Sequence, residues 1–271
     1  GGVVAEEPLG HGYKELAISP GPDGAFRMAG TALHIWPRGG YMLIALPNLD
    51  GSFTTTLFLP NEGVDSFATF NTTRDVETFF ERNFADAVPL LDDLVDTFSR
   101  NPTGSLSTIR CKPWRYRAGA VLLGDAAHAV VPFHGQGMNA GFEDCVALDD
   151  CVERLGADWE SVFTAFEEER KPNGDAIADM ALENYVEMRD SVRDPAFLLQ
   201  RELAWKLEEM YPDIFIPRYS MVMFHLLPYA EAYARGAIET SILQELTRTA
   251  ESLDDIDFAH AERLIKEKLV R

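Results

Sequence analysis

The chain has 271 residues, 46% of them hydrophobic and 25% charged, with 24 Lys and Arg against 44 Asp and Glu for a net charge of −20. So acidic a surface repels nucleic acid and anionic membranes, and any phosphate-bearing ligand must be held by local N–H groups or a local arginine. Cys111, Cys145 and Cys151 are too few and scattered for a disulfide framework or a metal cluster, and the six histidines lack the spacing of a helical zinc site. No apolar run reaches membrane-spanning length and no signal peptide is present, which predicts a soluble, cytoplasmic segment of one large domain or two.

Residues 13 to 60 read as β-rich. Leu33 to Trp36, Tyr41 to Leu46 and Phe53 to Leu59 are rich in β-branched and aromatic residues, with turn-forming residues between them at Pro37-Arg38-Gly39-Gly40 and Pro47 to Ser52. This predicts hairpins in an antiparallel sheet. Alternation places Leu33 and Ile35 on one face, Met42, Ile44 and Leu46 on one face, and Thr54, Thr56 and Phe58 on another. Periodicity alone reads these faces as core.

Helical spacing follows over Thr73 to Phe84 (Val76, Phe79, Phe80, Phe84) and Pro89 to Phe98 (Leu90, Leu91, Leu94, Val95), with Pro89 suited to a first turn. Leu106 to Cys111 reads as a returning strand. Arg110, Lys112, Arg115 and Arg117, interleaved with Trp114 and Tyr116, are the basic concentration of an acidic chain; a solvated turn is the preferred reading and a dock for phosphate groups the sharper one. Ala120 to Leu123 then reads as a short buried strand ending at Gly124-Asp125, followed by a Pro/Gly-rich loop and a helix from Gly137 to Leu155 with Met138, Phe142, Cys145, Leu148 and Val152 on its buried stripe. Cys145 and Cys151 read as core thiols.

Asp158 is expected to cap a helix carrying Trp159, Val162, Phe163 and Phe166 that ends before Lys171-Pro172. A further helix from Asp175 puts Ile177, Ala181, Asn184 and Met188 on one stripe, where an amide needs a partner. Helices continue over Phe197 to Met210, Tyr219 to Arg235, Ile238 to Thr249 and Phe258 to Val270, with Gly236 separating two of them. The C-terminal helix, amphipathic and charged, reads as a soluble cap. His11, His34, His225 and His260 read as structural or surface residues.

The stretch from Val121 to Asp144 organises the chain. A strand, a glycine-rich turn and a helix N-terminus make an anion site, because the first helical N–H groups lack partners and the helix dipole is positive there. Gly135, Gly137 and Gly141, with Asp125 at the strand's carboxyl end, point to a ligand rather than to a tight connection alone.

The same stretch carries a resemblance. Gly124-Asp125-Ala126-Ala127-His128, Pro132, and Gly135-Gln136-Gly137-Met138-Asn139-Ala140-Gly141-Phe142-Glu143-Asp144 resemble the second FAD motif of the class A flavoprotein aromatic hydroxylases. Pro132-Phe133-His134-Gly135-Gln136-Gly137-Met138-Asn139 narrows this to the kynurenine-hydroxylating branch, with further matches at His11 to Leu16, His34 to Arg38, Asn184 to Arg189 and Phe215 to Val222.

The resemblance implies an α/β fold: a substrate-binding sheet with covering helices (1–112), part of a Rossmann-like FAD domain (113–172) and a helical C-terminal region (173–271). It implies hydroxylation of L-kynurenine to 3-hydroxykynurenine with FAD and NADPH, through a flavin C4a-hydroperoxide. Another anthranilate-like or phenolic acid as substrate, or a non-catalytic fragment, are the alternatives.

Gly124, Asp125, Pro132, Gly135, Gln136, Gly137, Met138 and Asn139 are the implied cofactor residues, with Asp125 on the ribityl hydroxyls and the helix dipole facing reduced flavin. Asn184, Tyr219, Pro132, Phe133 and His134 are implied substrate contacts, and Leu33, Ile35, Met42, Leu46, Thr56 and Phe58 the implied pocket wall. His134 serves as wall or hydrogen-bond donor rather than base, and no residue here is assigned as catalytic. No G-x-G-x-x-G opens a βαβ unit, so an N-terminal FAD-binding segment, with the arginine for the kynurenine carboxylate, is expected as a missing partner.

Overall fold

The computed structural model describes residues 2–225 and 227–270, with Arg193 described by its backbone alone. The chain divides into two compact units. One holds Glu7–Ser107 and Val186–Ser191; the other holds the residues up to Glu6, Thr108–Tyr185 and the residues from Val192 onward.

The first unit is built on a five-stranded sheet. Its strands are β1 (Val3–Ile18), β2 (His34–Pro37), β3 (Met42–Pro47), β4 (Phe53–Pro60) and β5 (Thr103–Lys112), in the order β2-β3-β4-β1-β5. The three expected strands are present, each within a residue or so of its expected bounds. The long β1 was not read in full, because Glu6, Glu7, Gly10 and Gly12 break its apolar alternation and its identity as a strand comes from pairing with β4.

Leu16, Leu43, Ala45, Phe53, Leu57 and Leu59 face a core shared with α1 (Thr73–Asn83) and α2 (Leu94–Arg100). Phe70 packs edge-on against Phe79 and Phe98, at 5.2 and 5.1 Å between ring centres. Burying each such ring contributes about 1.5–3 kcal/mol. A capping box between Thr72 and Asp75 starts α1 as its sequence allows. The second expected helix is interrupted: Val88–Leu90 forms one 3₁₀ turn, and Asp93, at φ 46°, turns the chain before α2 begins.

The second unit begins with a small ribbon of β6 (Arg115–Tyr116) and β7 (Ala120–Val121) and is otherwise helical. Its helices are α3 (Asp125–His128), α4 (Gly137–Leu155), α5 (Trp159–Arg189, whose last turn falls to the first unit), α6 (Pro195–Met210), α7 (Arg218–Phe224), α8 (Tyr229–Thr247) and α9 (Phe258–Lys268). The α/β class holds. Among the described residues, no helix is long and apolar enough to cross a membrane.

Three expected boundaries move for physical reasons. Helix α5 runs through Pro172 without ending; the proline takes the ladder donor from the Glu168 carbonyl, and the neighbouring Glu169 carbonyl accepts a bond from the Asn173 side-chain amide at 2.8 Å. Helix α8 runs through Gly236, where a β-carbon would lie 2.5 Å from Arg218 Cδ, so the glycine admits the arginine rather than breaking the helix. The expected helix from Tyr219 to Arg235 is instead two, α7 and α8, with Pro228 as the N-cap of the second. Its position Leu226 lies outside the described residues.

Candidate cofactor and substrate site

The organising stretch enters its helix at Gly137 as expected, but the expected buried strand Ala120–Leu123 is only Ala120–Val121, half of a two-stranded ribbon, with Ala120 and Leu122 exposed. Gly124, at φ 57° and ψ −143°, takes a conformation closed to other residues and turns the chain into α3, whose first residue, Asp125, is exposed. After a 3₁₀ turn at Pro132–His134, Gly135 (φ 71°) admits the chain to α4. The α4 N-terminus carries no side-chain cap, so the N–H groups of Gly137, Met138 and Asn139 have no acceptor within the helix. A β-carbon at Gly135 would meet nothing within 4 Å, which leaves open space beside those donors. Free N–H groups, an open glycine and an exposed carboxylate suit a flavin nucleotide.

The frame behind this turn is a buried polar cluster. Asp144, fully buried on α4, accepts from Gly124 N–H at 2.8 Å and from Arg170 Nε at 2.7 Å, and its Oδ2 lies 2.7 Å from His128 Nε2. Burial alone would raise the Asp144 pKa, but the bonds from His128, Gly124 and Arg170 outweigh it and hold the carboxyl below the ordinary aspartate value. Arg170 also donates to the Ala140 carbonyl at 3.3 Å and pairs with Glu143 at 3.1 Å. Trp114 lies against the His128 ring at 5.1 Å.

Gln136 is buried too. Its side-chain oxygen accepts from Asn139 at 3.0 Å and from the Tyr229 hydroxyl at 3.1 Å, and its Nε2 donates to Met223 Sδ at 3.1 Å, so the side chain is engaged by protein partners. Burial, then Glu143, raises the Tyr229 pKa, keeping that phenol a donor.

The expected substrate residues Asn184 and Tyr219 reach one loop. Asn184 Nδ2 donates to the Phe133 carbonyl at 2.6 Å, which supplies the partner its place on an apolar stripe demands. Tyr219 stacks on His134, 5.5 Å between ring centres at 25°. Phe133 stacks on Tyr185 at 4.1 Å. His134 Nδ1 is buried with no hydrogen-bond partner among the described residues, and burial, reinforced by Arg218, lowers the His134 pKa so that the ring is neutral at pH 7. Arg218 is held by Glu183 at 2.5 Å. Pro132 is exposed at the head of the loop, and Tyr219 is half exposed.

The other expected wall residues lie in the sheet unit. Register sets Ile35 opposite Ile44, Met42 opposite Phe58, Ile44 opposite Thr56 and Leu46 opposite Thr54. These residues share one face, the one turned away from the α1 and α2 core, rather than separate faces. Met42 and Phe58 are buried, Ile35 and Thr56 half-buried, and Leu33 and Leu46 exposed. Within this unit the turn that follows His34–Arg38 meets the ends of two other motif segments: Gly39 N–H donates to the Arg189 carbonyl at 3.2 Å, Gly40 N–H to Asp190 at 2.5 Å, and His11 Nε2 lies 3.0 Å from the Gly40 carbonyl.

Two other expectations are corrected. The inward stripe of α4 is Ala140, Asp144, Ala147 and Cys151, while Met138 (72% exposed), Phe142 (63%) and Cys145 face outward, because the Asp144 bonds set the helix's rotation. Among the arginines, Arg110 donates to Asp179 at 2.5 Å and Arg115 lies 3.2 Å from Glu167, so neither is a solvated turn residue. Sequence reasoning quoted His128 and Asp144 within the motif but gave them no role, and it missed Arg170 and Tyr229. Asp144 is one of several acids on α4, and its partners stand too far away in sequence to be read from spacing.

Comparison with known proteins gives the family. A family model described as "FAD binding domain" matches residues 95–181. The chain is 53% identical over 264 residues to the kynurenine 3-monooxygenase of Myxococcus xanthus (strain DK1622), covering 97% of this chain and 57% of that protein. It is 54% identical over 261 residues to that of Stenotrophomonas maltophilia (strain K279a), covering 96% and 57%. A solved structure of 2-methyl-3-hydroxypyridine-5-carboxylic acid oxygenase, 19% identical, shares the fold with a TM-score of 0.55 over 73% of this chain and 53% of that one. The chain thus spans somewhat more than half the length of the curated relatives it matches, and over that span it belongs to the kynurenine 3-monooxygenase family.

Proposed function

We propose that this chain is the part of a flavin monooxygenase that holds the flavin end of FAD and the polar end of L-kynurenine for 3-hydroxylation, with NADPH as reductant. The observation that carries the reading is the convergence of Asn184 and Tyr219 on the Phe133–His134 loop, which leads directly into the uncapped N-terminus of α4. FAD supplies the oxygen-transfer chemistry when bound. Asp125 accepts from its ribityl hydroxyls, and Gly137, Met138 and Asn139 offer N–H groups and a positive dipole end to its electron-rich edge. Neutral His134, buried and stacked with Tyr219, gives the loop an uncharged wall. Leu33, Ile35, Met42, Leu46, Thr56 and Phe58, on the sheet of their own unit, keep the pocket-wall role that the resemblance implies.

The remainder of a relative-length protein is the second partner in this reading. Met138, Phe142 and Val146 form an exposed apolar stripe along α4, and such a stripe marks a surface made for cover. An N-terminal FAD-binding segment packed there would complete the nucleotide site. Full-length protein loaded with FAD and given NADPH and L-kynurenine should form 3-hydroxykynurenine. Turnover of a phenolic or anthranilate-like acid, with none of kynurenine, would replace the substrate assignment while keeping the flavin chemistry. A protein that takes up no FAD would overturn both.

A further inference from the structure

The Asp144 cluster joins segments that each carry part of the ligand site. Gly124 and His128 bracket the turn that presents Asp125, while Ala140, whose carbonyl takes a bond from Arg170, lies in the first turn of α4. The two segments also touch directly: a β-carbon built at Gly124 would lie 3.8 Å from Gly141 Cα, and one at Gly141 would lie 3.6 Å from Gly124 Cα. The turn and the helix are thus neighbours, close enough for one carboxylate to serve both.

We propose that Asp144, with His128 and Arg170, is the positioning element of the cofactor site: its carboxylate locks the Gly124–His128 turn to α4 so that Asp125 and the α4 N-terminus face one ligand. The inference rests on the flavin reading above and assigns a role to residues that touch no ligand. A buried ion pair is a poor source of net stability compared with apolar packing of the same volume, but its bonds are directional, so what it supplies is orientation. The arrangement has that character. Each Asp144 oxygen is committed, Oδ2 to the turn and Oδ1 to Arg170 on α5, so rotation of α4 or displacement of the turn breaks a bond at once. Trp114 and Gly174 box the His128 ring on the other side.

The test uses full-length protein, freed of FAD and then titrated with it, in the wild type and the variants His128→Leu, His128→Gln and Asp144→Asn. Three readouts are taken: the FAD dissociation constant, the visible circular dichroism of the bound flavin, and the melting temperature of the FAD-free protein. His128→Leu should weaken FAD binding about tenfold or more, the loss of one charge-assisted bond, and should alter the flavin dichroism. His128→Gln, which retains an N–H donor of similar reach, should recover most of both. Asp144→Asn is the stronger perturbation and should follow His128→Leu if it folds; the histidine pair decides the matter if it does not. A purely structural role would lower the melting temperature and leave the dichroism of the retained flavin unchanged. That result, or wild-type affinity in His128→Leu, overturns the proposal alone. A wild-type protein that binds no FAD overturns the flavin reading and this proposal with it.

Discussion

Gly174→Ala places two opposing effects at one atom. In the interior of α5, replacing glycine by alanine favours the helix by about 1 kcal/mol. The added methyl, however, would lie 3.0 Å from Trp114 Cη2 and 3.1 and 3.2 Å from His128 Cγ and Cδ2. Both neighbours are rings, Trp114 1% and His128 4% exposed, and His128 is tied to Asp144. Neither can swing aside as a flexible chain end would, so the few tenths of an ångström must come from backbone or from the His128–Asp144 bond. Overpacking of this kind costs about 1–3 kcal/mol, which exceeds the helix gain. We expect a net loss of about 1 kcal/mol, a melting temperature roughly 2–4 °C lower in a chain of this size, and weaker FAD retention. Thermal and guanidinium unfolding of wild type and variant measure it. A variant that melts at or above the wild-type temperature would show that the helix term wins and that the Trp114–His128 packing is softer than the geometry states.

The remaining expectations concern single groups. Asp125→Ala in the full-length protein should weaken FAD binding roughly ten- to a hundredfold, since a charge-assisted bond is worth about 1.5–3 kcal/mol, while FAD-free stability moves by no more than about 0.5 kcal/mol because Asp125 is exposed; unchanged flavin content after dialysis refutes the assignment. Asn184→Ala and Tyr219→Phe should raise KM for kynurenine with FAD content intact, each lost neutral bond being worth about 0.5–1.5 kcal/mol, and steady-state kinetics at saturating NADPH decide it. Glu239, 3% exposed, accepts from Ile216 N–H at 3.3 Å, and burial pushes its pKa up to about 8 from the ordinary 4.5. The folded chain therefore holds this proton more tightly than the unfolded one. The contribution is complete below about pH 4.5 and is lost as pH rises towards 8. Glu239→Gln should flatten that part of the stability curve, and guanidinium midpoints that fall equally in both proteins between pH 5 and 9 would count against it.

What the sequence disclosed and what it hid separate along the range of the interactions involved. The Gly124 and Gly135 turns, the Pro132 loop and the start of α4 at Gly137 are decided by local backbone chemistry, so they are legible residue by residue. The inward face of α4 is not decided locally. Met138, Phe142 and Cys145 have the right spacing and polarity for a core stripe, and periodicity prefers them to a stripe containing Asp144. That preference is overruled by Arg170, 26 positions away, and by Gly124 and His128, 20 and 16 positions away. Gly236 fails as a helix breaker for the same reason, since Arg218, 18 positions away, occupies the space a side chain would take.

The hidden residues are thus buried polar ones whose desolvation is compensated only by distant partners, a cost that forces specific geometry on whatever they join. In this chain they join the two segments that present Asp125 and the α4 N-terminus. The apolar residues displaced from the core, Met138 and Phe142 with Val146 beside them, are left on the surface by the same rotation of α4. One carboxylate at position 144 therefore accounts both for the orientation of the nucleotide turn and for the exposed stripe that a further segment would cover.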